Sequence, residues 1–175
     1  DICISKILVR NIEKHINEKY ADLITDNFEE VRNAEVDIVV EAMGGLYPAY
    51  DYIKYFLNEK KHVVTANKDV IAKHGEELSK IAENNSVSLR YEASVAGGIP
   101  ILKPLQECLA GNDIQCITAI LNGTTNFILS KMYSEGMKYE NALKIAQELG
   151  FAEANPDSDV LGYDSARKLS ILSSI

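Results

Sequence analysis

Asp164 and Lys168 stand four residues apart in the stretch YDSARKLSIL, residues 163–172. On a helix that spacing puts both side chains on one face. The i+3 and i+4 neighbours of Lys168 are Ile171 and Leu172, so the lysine sits at the edge of an apolar face. A lysine held by a carboxylate in a cleft can move a proton. The plain alternative is a surface ion pair of little energetic weight. Just upstream, Glu153, Asp157 and Asp159 crowd an irregular segment behind Gly150, which reads as the C-cap of the preceding helix.

Other chemistry-bearing residues fall where strands are expected to end. Thr65-Ala66-Asn67-Lys68 closes an apolar run and opens a helix. Thr or Asn can cap that helix, whereas a lysine there opposes the helix dipole and hints at a task. Gly44 and Gly45 follow another apolar run and would let a flat ligand approach the backbone. The small-residue stretch from Glu92 to Pro100 offers a carboxylate and turn carbonyls, a donor set that suits a hard cation or else a bare hinge. No G-x-G-x-x-G fingerprint is present. If residues 5–10 form a second Rossmann strand, that loop belongs upstream of residue 1. Arg10 then stands where an acid would bind a ribose hydroxyl; an arginine there suits a 2′-phosphate, hence NADP, or else is simply a solvated side chain at a strand end. His15, His62 and His74 show no triad or metal spacing.

The elements that must position these residues alternate. Strands are expected at 5–10, 36–42, 62–66 and 87–92, and helices at 47–58 and 68–83. The inward positions are Tyr50, Ile53, Phe56 and Leu57 on the first helix, and Val70, Ile71, Leu78 and Ile81 on the second. The run VDIVVEA, residues 36–42, fits a parallel strand buried on both faces. Such βαβ units make a parallel sheet, with helices expected over both faces and ligands at the carboxyl ends of the strands. Beyond residue 98 the pattern changes to a helix at 99–110, a strand at 113–121, and helices at 125–135, 139–149 and 161–175. A domain boundary is placed near 93–100.

The chain has 175 residues, 46% hydrophobic and 25% charged, with a net charge of −8. That composition is globular, and the charge disfavours nucleic acid and anionic lipid. Cys3, Cys108 and Cys116 form no C-x-x-C pair, which argues against a disulfide framework or structural zinc and suggests a reducing cytoplasm. No apolar run reaches the roughly 18–20 residues that span a bilayer, and no signal peptide is evident. A strand pattern opens the chain and a helical pattern closes it without a breaker, so both ends are expected to continue further.

Taken in order, VDIVVEAMGG (36–45), VVTANK (63–68), YEASVAGGIPI (91–101), LNGTTNFIL (121–129) and AQELGFAEANPDSDVLGYDSARKLSIL (146–172) resemble homoserine dehydrogenase. The likeness spans nearly the whole chain, and the last two stretches are specific to that family. It implies an α/β fold: a partial Rossmann-type parallel sheet followed by part of an α+β catalytic domain. Residues 1–95 would be an incomplete nucleotide-binding domain lacking its first strand and glycine loop. Residues 96–175 would begin a dimerisation and catalytic domain that lacks its C-terminal part. The implied reaction interconverts L-homoserine and L-aspartate 4-semialdehyde with NADP or NAD, in a cytoplasmic homodimer. Lys168 matches the proton donor and acceptor, with Asp164 beside it. Glu153 and Asp164 match substrate-holding residues, and Asp159 a further acid of that cleft. Lys68 matches a residue near nicotinamide and substrate, and Gly150 a cofactor contact, beside Arg10, Gly44 and Gly45. Glu92, Val95, Gly97 and Ile99 match a sodium site, mostly through backbone carbonyls. Two alternatives share the architecture: a related dehydrogenase for another aldehyde or hydroxy acid, and a non-catalytic fragment.

Overall fold

The structure, a computed structural model, describes residues 2–175. Its strands are short and all parallel. β1 (Ile7–Leu8) pairs with β2 (Ile24–Thr25) across a connection of two 3-10 turns, Ile12–His15 and Ala21–Leu23. After α1 (Phe28–Arg32) come β3 (Ile38–Glu41), α2 (Ala49–Asn58), β4 (His62–Thr65), α3 (Lys68–Asn84) and β5 (Leu89–Arg90). β3, β4 and β5 lie side by side in that order, with Glu41 opposite Thr65, and form a sheet separate from β1 and β2.

The polypeptide steps from β3 to β4 to β5 in one direction. Right-handed crossovers then place α2 and α3 on the same face. Val63 is fully buried against Ile53, Phe56 and Leu57 of α2 and Val70, Leu78 and Ala82 of α3, with Val39 and Leu89 packed alongside. The expectation of helices on both faces is therefore corrected. Among the described residues they cover one, and Ile38 and Val40 of β3 are 55% and 72% exposed on the other. The inward positions expected on the two helices are largely those buried. Tyr50 and Ile81 are the exceptions, both half-buried, with the Tyr50 hydroxyl turned out to Glu77 at 3.0 Å.

A second cluster matters more for the chemistry. Ile71 of α3 packs with Val95, Leu102, and Ile171 and Leu172 of α7 (Tyr163–Ser173). α3 thus presents one flank to the sheet and another to α7, which brings its first residue, Lys68, beside the first turn of α7. A third cluster joins α4 (Gly123–Glu135) to α5 (Tyr139–Glu148) through Ile128, Ala142 and Ala146. The pair is linked by Gly136, whose φ of 64° reverses the chain. A short α6 (Asp157–Val160), which the sequence pattern did not announce, precedes α7.

Two further expectations are corrected. The helix at 99–110 contracts around a π-helical turn, Pro104–Cys108. Pro100 disfavours helix before it, and Pro104 is tolerated only within a first turn. The segment 113–121, expected as a strand, carries no regular secondary structure and pairs with no strand among the described residues. Ile114 and Ile120 of this strand-like run stay exposed, because such a run makes a strand only where a partner can accept its backbone hydrogen bonds.

Glu92 is the anchor of the segment leading to that π-helical turn. Its carboxylate accepts the backbone N–H groups of Ile101, Leu102 and Lys103 at 2.5, 2.8 and 2.9 Å. These are amides that a helix start leaves unpaired. Burial alone would push this carboxyl up, but the amides of Lys103, Ile101 and Leu102 outweigh it and hold the group below its ordinary range. Glu92→Ala is expected to lower stability by about 2 kcal/mol, the loss typical of a removed cap with charge-assisted bonds. Urea denaturation of the two proteins measures it.

Candidate active site

Gly162, in the left-handed region at φ 81°, turns the chain into α7 and places Asp164 in its first turn. A carboxylate is favoured there by the helix dipole. Asp164 is only 2% exposed, so its charge must be met within the protein. Lys68 Nζ lies 2.7 Å from Asp164 Oδ1. Lys168 Nζ donates to Oδ2 at 2.7 Å and to the carbonyl of Leu121 at 2.8 Å. Two ammonium groups from different helices thus converge on one buried carboxylate. The next residues along make a second ion-pair contact between the same helices, Arg167 Nε to Asp69 Oδ1 at 2.7 Å.

Asn122 completes the cluster. Its Nδ2 donates to Asp164 Oδ2 at 2.8 Å and to Asp159 Oδ1 at 2.7 Å, while its Oδ1 accepts the N–H of Thr125 at 2.8 Å and caps α4. It was not among the residues to which the sequence assigned a role. The available signal was an asparagine opening a helix, which announces a cap but not a contact 42 residues away.

Burial alone would raise the Asp164 carboxyl. Hydrogen bonds from Asn122, Lys168 and Lys68 more than reverse this and hold it at about 2. The ordinary value is 3.8, so between the two values the unfolded chain binds more protons than the folded one. Stability from this group is therefore complete above about pH 4 and is lost as pH falls toward 2. The expected loss is about 2 kcal/mol, read as the difference between the parent and Asp164→Asn in denaturation series from pH 5 to 2.5.

The other expected site residues are placed as follows. Asp159 joins the cluster through Asn122. Glu153 is exposed. Its carbonyl accepts from Gln147 Nε2 at 3.1 Å, and among the described residues no hydrogen bond or ion pair joins its carboxylate to Asp164. Gly150, at φ 77°, ends α5 as expected: its N–H reaches the Gln147 carbonyl while that of Phe151 reaches Ala146. Arg10 is exposed just beyond β1. Gly44 and Gly45 lie just beyond β3, both at φ 73°, and a Cβ on either would meet nothing within 4 Å. The backbone there is therefore open on the Cβ side. Gly45 is tied toward the cluster, because its carbonyl accepts from Asn67 Nδ2 at 2.7 Å, one residue before Lys68. Around Glu92 the carboxylate is taken up by backbone amides. The carbonyls of Val95, Gly97 and Ile99 receive no backbone N–H among the described residues and remain available as hard oxygen donors.

Comparison with known proteins follows this division of the chain. Residues 1–92 match the family model "Homoserine dehydrogenase, NAD binding domain", and residues 100–175 match "Homoserine dehydrogenase". The homoserine dehydrogenase of Bacillus subtilis is 47% identical over 173 residues, covering 98% of this chain and 40% of the relative. A crystal structure of a homoserine dehydrogenase from Thiobacillus denitrificans superposes with a TM-score of 0.90 at 46% identity, covering 97% of this chain and 40% of that one. A hyperthermophilic archaeal homoserine dehydrogenase in complex with NADPH gives 0.80 at 35% identity, covering 91% and 52%. The chain therefore spans about 40% of the length of the curated relatives it matches. With the two domain models covering its length in order and the matching structures sharing its fold, the chain belongs to the homoserine dehydrogenase family.

Proposed function

We propose that these residues form part of the nicotinamide site and most of the polar substrate and proton-transfer groups of an NAD(P)-dependent homoserine dehydrogenase. The reaction interconverts L-homoserine and L-aspartate 4-semialdehyde, a step in threonine, methionine and isoleucine synthesis. The observation that carries this reading is the pair of lysines, Lys68 and Lys168, sharing the buried Asp164 carboxylate at 2.7 Å each.

A bound nicotinamide would supply or take up the hydride at carbon 4 of the substrate. Lys168 provides the proton that the substrate oxygen needs as the aldehyde is reduced, and recovers it in the reverse direction. Asp164 holds both ammonium groups at one place, so either can turn to the substrate oxygen without leaving a buried cation unpaired. Asn122 fixes that carboxylate and Asp159 together. Glu153, exposed on the segment between α5 and α6, is free to meet the substrate's ammonium group by a charge-assisted bond. The open backbone at Gly44 and Gly45 supports a nicotinamide contact, and the left-handed Gly150 a further one. Arg10 supports NADP, since a guanidinium at that strand end can pair with a 2′-phosphate.

Family membership and the free carbonyls of Val95, Gly97 and Ile99 support a sodium ion held there, with the Glu92 carbonyl, which also accepts the Val95 N–H at 3.4 Å, as a fourth donor. Membership also supports a homodimer and a cytoplasmic setting. No helix of the described residues is long and apolar enough to cross a membrane, and the net charge of −8 disfavours nucleic acid as a partner.

The test is steady-state turnover by the full-length protein with L-homoserine against other small hydroxy acids, using NADP and NAD in turn. Homoserine should be preferred over analogues lacking its amino group by a factor of roughly 10⁴, the discrimination expected when a site's polar groups lose their partner. Equal turnover of simple hydroxy acids would favour the related-dehydrogenase alternative. No turnover of any of them would favour a non-catalytic role.

A further inference from the structure

We infer that Asn67, braced by Glu41 and Thr65, is a positioning residue that sets the Gly44–Gly45 loop against Lys68. Glu41, Thr65 and Asn67 are all buried, at the carboxyl ends of two adjacent strands. Glu41 accepts from the Thr65 hydroxyl, from the N–H of Met43 at 2.7 Å and from Asn67 Nδ2 at 3.4 Å. No lysine or arginine among the described residues forms an ion pair with it. A buried carboxylate answered only by neutral donors is costly for stability alone. Of its donors, Thr65 ends β4, while Met43 and Asn67 belong to the two loops that follow β3 and β4. Asn67 needs only its Oδ1 to cap α3, through the N–H of Val70 at 3.2 Å. Its Nδ2 instead leaves the helix and holds the carbonyl of Gly45 at 2.7 Å. The residue after it is Lys68, whose ammonium lies on Asp164. One amide group thus fixes the distance between the open glycine loop and the lysine cluster. Ligands of parallel sheets bind at such strand ends.

The consequence for the reaction rests on the reading that Gly44 and Gly45 contact the nicotinamide cofactor. In the full-length protein, Asn67→Ser keeps a capping hydroxyl of comparable strength but is too short to reach Gly45. Glu41→Gln keeps the shape and turns one acceptor into a donor facing other donors. Both are expected to raise the cofactor KM about tenfold, the effect of one well-placed hydrogen bond, with the homoserine KM changed by less than about twofold. Amide hydrogen exchange across residues 43–46 of the unliganded protein should accelerate about tenfold in Asn67→Ser. A residue that merely caps α3 predicts that Asn67→Ser behaves as the parent in every readout. Unchanged cofactor KM and unchanged exchange would overturn the inference. If the parent itself turns over no homoserine, the functional reading falls, and the exchange measurement alone decides: acceleration at 43–46 upholds the link and its absence removes it.

Discussion

Asp164→Asn is expected to destabilise the protein by roughly 3 kcal/mol near neutral pH and to lower turnover sharply. The carboxylate lies 2.7 Å from both Lys68 and Lys168, so the two ammonium groups are themselves close neighbours. An amide in its place keeps the volume and removes the charge that lets them approach. The Lys168 side chain is 17% exposed and that of Lys68 35%. Lys68 can therefore recover part of its hydration, which keeps the loss at the low end of the roughly 3–5 kcal/mol found for broken buried pairs. Asn122 loses an acceptor as well, since its Nδ2 bonds the oxygen facing Lys168. The double variant Asp164→Asn with Lys68→Met should regain part of the loss, because the remaining ammonium no longer faces a like charge. Urea denaturation at pH 7 gives both numbers. Additive losses in the double variant would mean that the lysines do not share the carboxylate.

Lys168→Met is expected to lower kcat roughly 10²–10⁴-fold, the contribution of a positioned proton donor. The methionine fills most of the volume of the lysine stem beside Ile171 and Leu172, so the second core should stay intact. Asp164 keeps Lys68 and Asn122 as partners, which limits the structural cost. The Leu121 carbonyl loses its donor and can turn to water, as it ends a largely exposed segment. Stability should fall by less than about 1.5 kcal/mol, and the cofactor KM should barely move. A kcat within a fewfold of the parent would place the proton transfer elsewhere, with Lys68 the next candidate by position.

The parts of this site readable from sequence were those whose geometry is local. Asp164 and Lys168 are related by one helical turn, and that spacing sufficed to predict their contact. Lys68 lies 96 positions from Asp164 in the numbering, and nothing in its own surroundings pointed to α7; only the family resemblance set the two at one centre. Asn122 gave the signal of a helix cap, and its bonds to Asp159 and Asp164 depend on how α4 packs beside α6 and α7. The strand-like run at 113–121 predicted a strand pairing, and the apolar run of β3 a burial on both faces, that the described residues do not provide. Periodicity reports what a segment can bury, and the neighbours decide what it does bury. The same limit explains α2 and α3. Their inward faces were legible from the 3.6-residue period, but their placement on one side of the sheet follows from the direction in which the strands advance.

The most direct test is chemical rescue. Full-length Lys168→Ala should be assayed for NADPH consumption with L-aspartate 4-semialdehyde while a small primary amine such as ethylamine is added. The rate should lie near background without the amine and rise with its concentration, because the amine restores a proton donor in the space the side chain vacated. Parent-like turnover without any amine would contradict the role given to Lys168 and the account built on it.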